Sequence, residues 1–185
     1  MSGEHQKFGM WRKTEHKGKC MKNNVILIGM PGSGKSTAGI LSAKALCKSF
    51  VDTDLLIQEE EGMPLQRIID EKGIDYFLAC EERAVSSLDF HNTVVATGGS
   101  VVYSARAMAH LRSLGTVIYL RLDEETMMRR IRNITTRGVV MRNGATMSGM
   151  FAERSPLYEK FAEVVIDCGE KTVEDTVKDI VTAVR

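Results

Sequence analysis

The chain has 185 residues, 43% hydrophobic and 26% charged, which is one compact domain with room for a real core and not a disordered or fibrous protein. No stretch approaches transmembrane length, and with a net charge of +1 a nucleic-acid-binding role would rest on the basic N-terminus alone. The four cysteines (Cys20, Cys47, Cys80, Cys168) form no Cys-x-x-Cys pair and the four histidines no metal-ligand spacing, so a disulfide or zinc scaffold is excluded and a reducing cytoplasm fits.

Residues 1–22 hold six Lys/Arg against Glu4 and Glu15, a net +4, so the remainder of the chain carries −3. This segment lacks apolar periodicity and reads as a disordered basic leader. It is neither acid-poor and Ser-rich like a mitochondrial leader nor provided with a signal peptide's apolar centre. The remainder, 23–185, is read as one domain.

That domain opens on Val25-Ile26-Leu27-Ile28, a buried parallel strand. Gly29-Met30-Pro31-Gly32-Ser33-Gly34-Lys35-Ser36-Thr37 follows and fits the phosphate-binding P-loop, Gly-x-x-x-x-Gly-Lys-Ser/Thr. Gly32 and Gly34 permit the tight turn that brings bare N–H groups, Ser33's among them, against phosphate oxygens. Lys35 supplies a point charge to the outer phosphates, and the Ser36 hydroxyl suits Mg²⁺. The helix through Leu46 adds the positive end of its dipole, with Thr37 in its first turn. Its apolar positions are Ala38, Leu41, Ala45 and Leu46.

A second strand, Ser49-Phe50-Val51-Asp52, runs into Thr53-Asp54. Two aspartates so spaced point the same way in an extended chain. One would hold Mg²⁺ through water and the other accept a hydroxyl proton. The competing reading makes Asp54 the N-cap of a helix starting at Leu55. Helices are expected up to Gly62, from Pro64 to Glu71, and after an Asp75 cap. Thr93–Thr97 is the third strand, ending on Gly98-Gly99-Ser100, where a ligand or another backbone can approach closely. Then come a helix over Ser104–Leu114, a strand over Val117–Leu120, a helix from Asp123 through Arg132, a loop from Asn133 to about residue 150, a helix over Phe151–Phe161, a strand over Val164–Ile166 and a closing helix over Val173–Val184. So long a loop in a compact domain reads as a lid. Five strands alternating with helices predict a three-layer α/β/α fold around a five-stranded parallel sheet.

Taken together, the P-loop, Phe50-Val51-Asp52-Thr53-Asp54, Gly98-Gly99, Arg137 and Arg154-Ser155-Pro156-Leu157-Tyr158 resemble the shikimate kinase family, in order and at similar spacing over residues 23–168. The resemblance implies a nucleoside-monophosphate-kinase-like fold and ATP-dependent phosphorylation of a ring hydroxyl, with ATP and Mg²⁺. By position, Lys35 would contact the phosphates, Ser36 and Asp52 would manage Mg²⁺, and Asp54 would activate the acceptor hydroxyl. Gly98 and Gly99 would form the substrate floor. Arg137 would reach the transferring phosphoryl group from the lid, Arg130 would lie over adenine, and Arg154 would bind the substrate carboxylate. A cytoplasmic monomer acting on a small hydroxy acid, with no nucleic-acid or membrane partner, is expected.

Three departures bear on the acceptor. Where the family has Phe-Arg-x-x-Glu this chain has Phe77-Leu78-Ala79-Cys80-Glu81, so an arginine that grips the substrate carboxylate is Leu78. A bond of that kind is worth about 1.5–3 kcal/mol, and Arg83, about 140° around the helix, is a poor substitute. The glycine triplet ends in Ser100, and the lid's Arg-Pro-Leu-Leu is Arg137-Gly138-Val139-Val140. Also, no adenine-side loop is recognisable around Asp167-Cys168-Gly169. Two readings of Glu81 stand: a solvated surface glutamate, or a carboxylate facing the acceptor pocket that binds an ammonium while Arg154 takes a carboxylate. Shikimate is the first expected acceptor. The alternatives are another hydroxy acid, sugar acid or hydroxy amino acid, or a nucleotide-binding regulator without kinase activity.

Overall fold

A computed structural model describes residues 23–131, 140 and 145–185. Five strands, β1 (Asn24–Ile28), β2 (Ser49–Asp52), β3 (Thr93–Ala96), β4 (Gly115–Arg121) and β5 (Val164–Asp167), form one sheet in the order β2-β3-β1-β4-β5. All neighbouring pairs are parallel, with Val25 level with Val94 and Thr116. Every residue of β1 and β3 is buried, as a parallel sheet covered on both faces requires. The expected five-stranded α/β fold is observed.

The helices are α1 (Lys35–Leu46), α2 (Thr53–Glu61), α3 (Leu65–Lys72), α4 (Ile74–Ser86), α5 (Ala105–Leu114), α6 (Glu124–Ile131), α7 (Met147–Phe161) and α8 (Val173–Ala183), with a 3-10 turn at Val101–Tyr103. α1 packs on β2 and β3 and against α8, whereas α5 packs on β4 and against α4. The main core joins these layers to the sheet, and a smaller core gathers Ile57, Leu65, Ile68, Phe77 and Cys80 from α2, α3 and α4 with Val140.

Several helix starts follow side-chain capping. Ser104, Thr146 and Thr172 each accept from a backbone N–H three residues on, and Asp123 accepts from Thr126 N at 2.7 Å. Four local expectations are corrected. The cap of α2 is Asp52, whose Oδ1 accepts from Asp54 N at 3.0 Å. The chain is already helical at Thr53, so Asp54 lies in the first turn. α4 starts at Ile74 after Gly73, with Asp75 inside it. α7 starts four residues early, because Thr146 supplies its cap. The buried face of α1 is Lys35, Ala38, Gly39, Ser42 and Ala43, not the Leu41 side, which is exposed. Small residues win there because the helix lies so close to β2 that a Cβ on Gly39 would come within 2.6 Å of Phe50 Cε2.

Candidate active site

The site is assembled at the carboxyl ends of β1, β2 and β3. β1 lies between β3 and β4, so the crevice opens where the strand order reverses, the general ligand position in open α/β sheets. The loop after β1 turns on Gly32 and Gly34, with φ of 82° and 89°, a region that only glycine enters without strain. α1 begins directly at Lys35, so its first backbone N–H groups and dipole face the same space.

Lys35 is buried, and its Nζ donates to Gly29 O at 2.6 Å, Met30 O at 2.9 Å and Ser33 Oγ at 3.4 Å. These bonds fold the ammonium back along the loop. Ser36 Oγ donates to Asp52 Oδ2 at 2.6 Å. A hydroxyl and a carboxylate in contact beside a phosphate cradle could hold Mg²⁺, since that ion takes most of its ligands from water and phosphate. No group of three or more acidic, histidine or cysteine ligands occurs among the described residues. Thr37 is exposed on the first turn of α1.

Arg130, on α6, lies along the loop's outer side. Its guanidinium donates to Gly32 O at 3.4 Å and to Cys168 O and Gly169 O at 2.9 and 3.0 Å. The segment after β5 is thereby drawn to the nucleotide loop, a contact that no local pattern around Asp167-Cys168-Gly169 revealed. Arg137 lies outside the described residues, as does most of the segment that the sequence reads as a lid.

On the other side of Pro31 is a small cavity, about 20 Å³, lined by Pro31, Asp54, Glu81, Gly98, Gly99 and Arg154 together with Leu65, Phe77, Ser100 and Val140. β3 delivers Gly98 and Gly99 to its floor. Gly98 N donates to Thr53 Oγ1 at 3.1 Å, which ties the end of β3 to the start of α2. A side chain at Gly98 would strike Glu81 Oε1 and would come within 2.8 Å of Asp54 Oδ1. Both carboxyl groups therefore converge on the same backbone carbon.

Glu81 is 2% exposed, which removes the reading of a solvated surface residue. α4 turns it inward because it shares the buried face with Phe77, Cys80, Ala84 and Val85. Burial raises its pKa from 4.5 to about 8. Asp54 adds to the rise, while a hydrogen bond from Ser100 and the charges of Arg154 and Lys35 oppose it. Leu78 sits one turn earlier, half-buried against the smaller core. Arg83 points elsewhere, to Glu60 and Glu61 at 3.4 Å each.

Arg154 closes the cavity from α7 and is 1% exposed. Its Nε donates to Tyr103 Oη at 3.1 Å, its other terminal nitrogen to Val140 O at 2.5 Å, and its plane lies 5.1 Å from the Tyr103 ring centre. Tyr158, one turn on, donates to Gly99 O at 2.5 Å, and burial pushes its pKa up. Tyr103 and Thr53 are positioning groups that the sequence reading missed. Tyr103 stands in no recognisable motif, Thr53 sits between Asp52 and Asp54, and only the folded chain brings them to Arg154 and Gly98. For Tyr158 the signal was present, since positions 154 and 158 share a helix face.

Comparison with known proteins places this geometry. The profile of the family described as "Shikimate kinase" matches residues 31–185. The chain is 39% identical over 160 residues to a shikimate kinase of Geobacter metallireducens, covering 85% of this chain and 89% of that protein. It is 32% identical over 163 residues to one of Sulfurihydrogenibium sp., covering 88% and 98%. Among solved structures it is similar to shikimate kinase from Acinetobacter baumannii in complex with shikimate, at TM-score 0.79 and 25% identity over 88% of this chain and 92% of that one. It is also similar to shikimate kinase from Aquifex aeolicus, at TM-score 0.73 and 31% identity over 86% and 95%. With a phosphate loop and a polar cavity sharing one wall, and with matches spanning nearly the whole length of such enzymes, this chain belongs to the shikimate kinase family.

Proposed function

We propose that this protein transfers the γ-phosphoryl group of ATP to a hydroxyl of a small carboxylate, with shikimate as the first acceptor and shikimate 3-phosphate as product. The observation that carries this reading is the shared wall: the acceptor cavity is lined by Pro31 of the phosphate loop and by Asp54. The acceptor oxygen bonds to the γ-phosphorus as the bond from phosphorus to the ADP oxygen breaks. The hydroxyl proton passes to Asp54. Lys35 and the loop amides hold the phosphates, with Ser33 and Thr37 beside them. Ser36 and Asp52 are the residues that would hold Mg²⁺, which would supply charge neutralisation to the phosphates during transfer. Arg130 borders the adenine side, Arg137 serves the transferring group from the lid, and Arg154 meets the substrate carboxylate above Gly98 and Gly99.

Residues 23–185 form the kinase domain, with a lid over roughly 133–150 and a dispensable leader at 1–22. The protein acts as a cytoplasmic monomer. No described helix is long and apolar enough to cross a membrane.

Replacing the base tests the reading. Asp54→Asn is expected to lower kcat by about 10²- to 10⁴-fold, the range of a positioned proton acceptor, with ATP affinity nearly unchanged by calorimetry. Lys35→Ala should lower both. Normal turnover by Asp54→Asn overturns the assignment of the base. A second reading, a different hydroxy acid or hydroxy amino acid as acceptor, is favoured by one observation: the side chain at position 78 is apolar beside a buried carboxylate.

A further inference from the structure

We propose that the acceptor pocket takes, besides hydroxy acids of the shikimate type, alcohols that carry a protonated amine, and that Glu81 is the ammonium's partner. The inference rests on the phosphotransfer reading for the fate of the hydroxyl, but its binding component stands on the geometry of Glu81.

Glu81 lines the cavity and is 2% exposed, and its Oε1 has no hydrogen-bond partner among the described residues. Buried polar oxygens are nearly always paired, so an orphan aimed into a ligand cavity calls for a donor on the ligand. The converging Asp54 carboxyl across Gly98 makes that donor's charge matter. A hydroxyl would fill the lone pair but bring no charge to the Asp54 side of the cavity. An ammonium supplies both the hydrogen bond and the countercharge.

The charges of Arg154 and Lys35 reach Glu81, but among the described residues their hydrogen bonds go to other groups. Arg154 donates to Tyr103 and Val140, and Lys35 to the phosphate loop. Three residues before Glu81, where a helical neighbour would meet it, stands Leu78. The same arrangement assigns the ligand's ends: its amine to Glu81, its hydroxyl to Asp54, and any carboxylate to Arg154. Because burial holds the Glu81 carboxyl protonated near neutral pH, with a pKa of about 8, seating an ammonium there favours ionisation and expels a proton.

The test uses the full chain with ATP and Mg²⁺ for turnover, or ADP and Mg²⁺ for calorimetry. Acceptors are compared in pairs that differ only in the amine: serine with 3-hydroxypropanoate, and homoserine with 4-hydroxybutanoate, with shikimate alongside. The amine-bearing member is expected to show a kcat/KM about tenfold or more higher, and its binding at pH 7 to release close to one proton, read from buffers of different ionisation enthalpy. Glu81→Gln should erase the preference and the proton release while changing shikimate turnover less. Leu78→Arg should lower the KM for shikimate and weaken the amines, and it provides a test should Glu81→Gln fail to fold. Turnover of shikimate without any amine preference overturns the inference and leaves the kinase reading standing. Glu81-dependent amine binding with no turnover of any acceptor, shikimate included, supports the pocket and overturns the kinase reading. Neither binding nor turnover of any amine overturns the inference.

Discussion

A single carboxyl group carries the most information here. Glu81 is buried beside Asp54, and its pKa, raised chiefly by burial to about 8, links stability to pH in a direction opposite to that of a salt-bridged acid. Between the ordinary value of 4.5 and about 8, the unfolded chain gives up this proton and the folded chain keeps it. Folded protein therefore binds more protons, and stability falls as pH rises through that window. The loss is on the order of a few kcal/mol, at about 1.4 kcal/mol per pH unit. Glu81→Gln should remove it. In urea denaturation the variant should gain on the parent between pH 5 and pH 8, and a constant difference between the two proteins would contradict the assignment. Asp54 and Asp52 show why a pair of acids one residue apart is ambiguous in sequence. Both candidate roles, cap and active-site group, exist in the structure, but the cap is Asp52 and the group in the acceptor cavity is Asp54.

At the scale of elements, helix α1 is set by contact and not by amphipathic pattern. Its buried face is made of small residues because β2 is close, and Gly39 marks the closest point, over Phe50. Gly39→Ala is expected to destabilise by about 1–3 kcal/mol, as overpacking does, despite alanine's better helix propensity. A urea midpoint equal to or above the parent's would show that the Phe50 ring moves aside freely. The Leu41 periodicity pointed the other way because a sequence pattern records which residues are apolar, whereas packing distance decides which face is buried. Helix starts were more legible. Ser104 and Asp123 were expected as first residues or caps, and both cap, since capping involves only backbone groups two or three residues on.

For the whole molecule, the strand order decides function by gathering the ends of β1, β2 and β3. The amino-terminal end of the strands is held by Asn24, 4% exposed, whose side chain donates to Phe90 O at 2.6 Å and Leu114 O at 3.0 Å and accepts from Thr93 N at 2.9 Å. It ties the entries of β3 and β4 to β1. Asn24→Ala should cost about 2–4 kcal/mol by leaving buried backbone groups unpaired, with kcat at low temperature little changed because the site lies at the other end of the strands. A large fall in kcat without loss of stability would refute this division. Since all five strands lie within residues 23–185, deleting residues 1–22 is expected to leave the Tm and kcat unchanged. A drop in either would give that segment a role in the kinase domain.

The amino-acid sequence alone determined the phosphate loop, the five-strand alternation and the family, because each rests on short-range rules: a turn that needs glycine, a helix that starts on an orphan N–H, a strand apolar on both faces. It also showed that position 78 lacks a cation. Only the tertiary structure decided that Glu81 is buried, that Asp54 shares a cavity with it while Asp52 caps α2, and that Tyr103, Thr53 and the carbonyls after β5 tie the elements of the site together. Those facts depend on segments far apart in the chain meeting at the carboxyl ends of the strands, and burial of a charge is a property of that meeting and not of the residue.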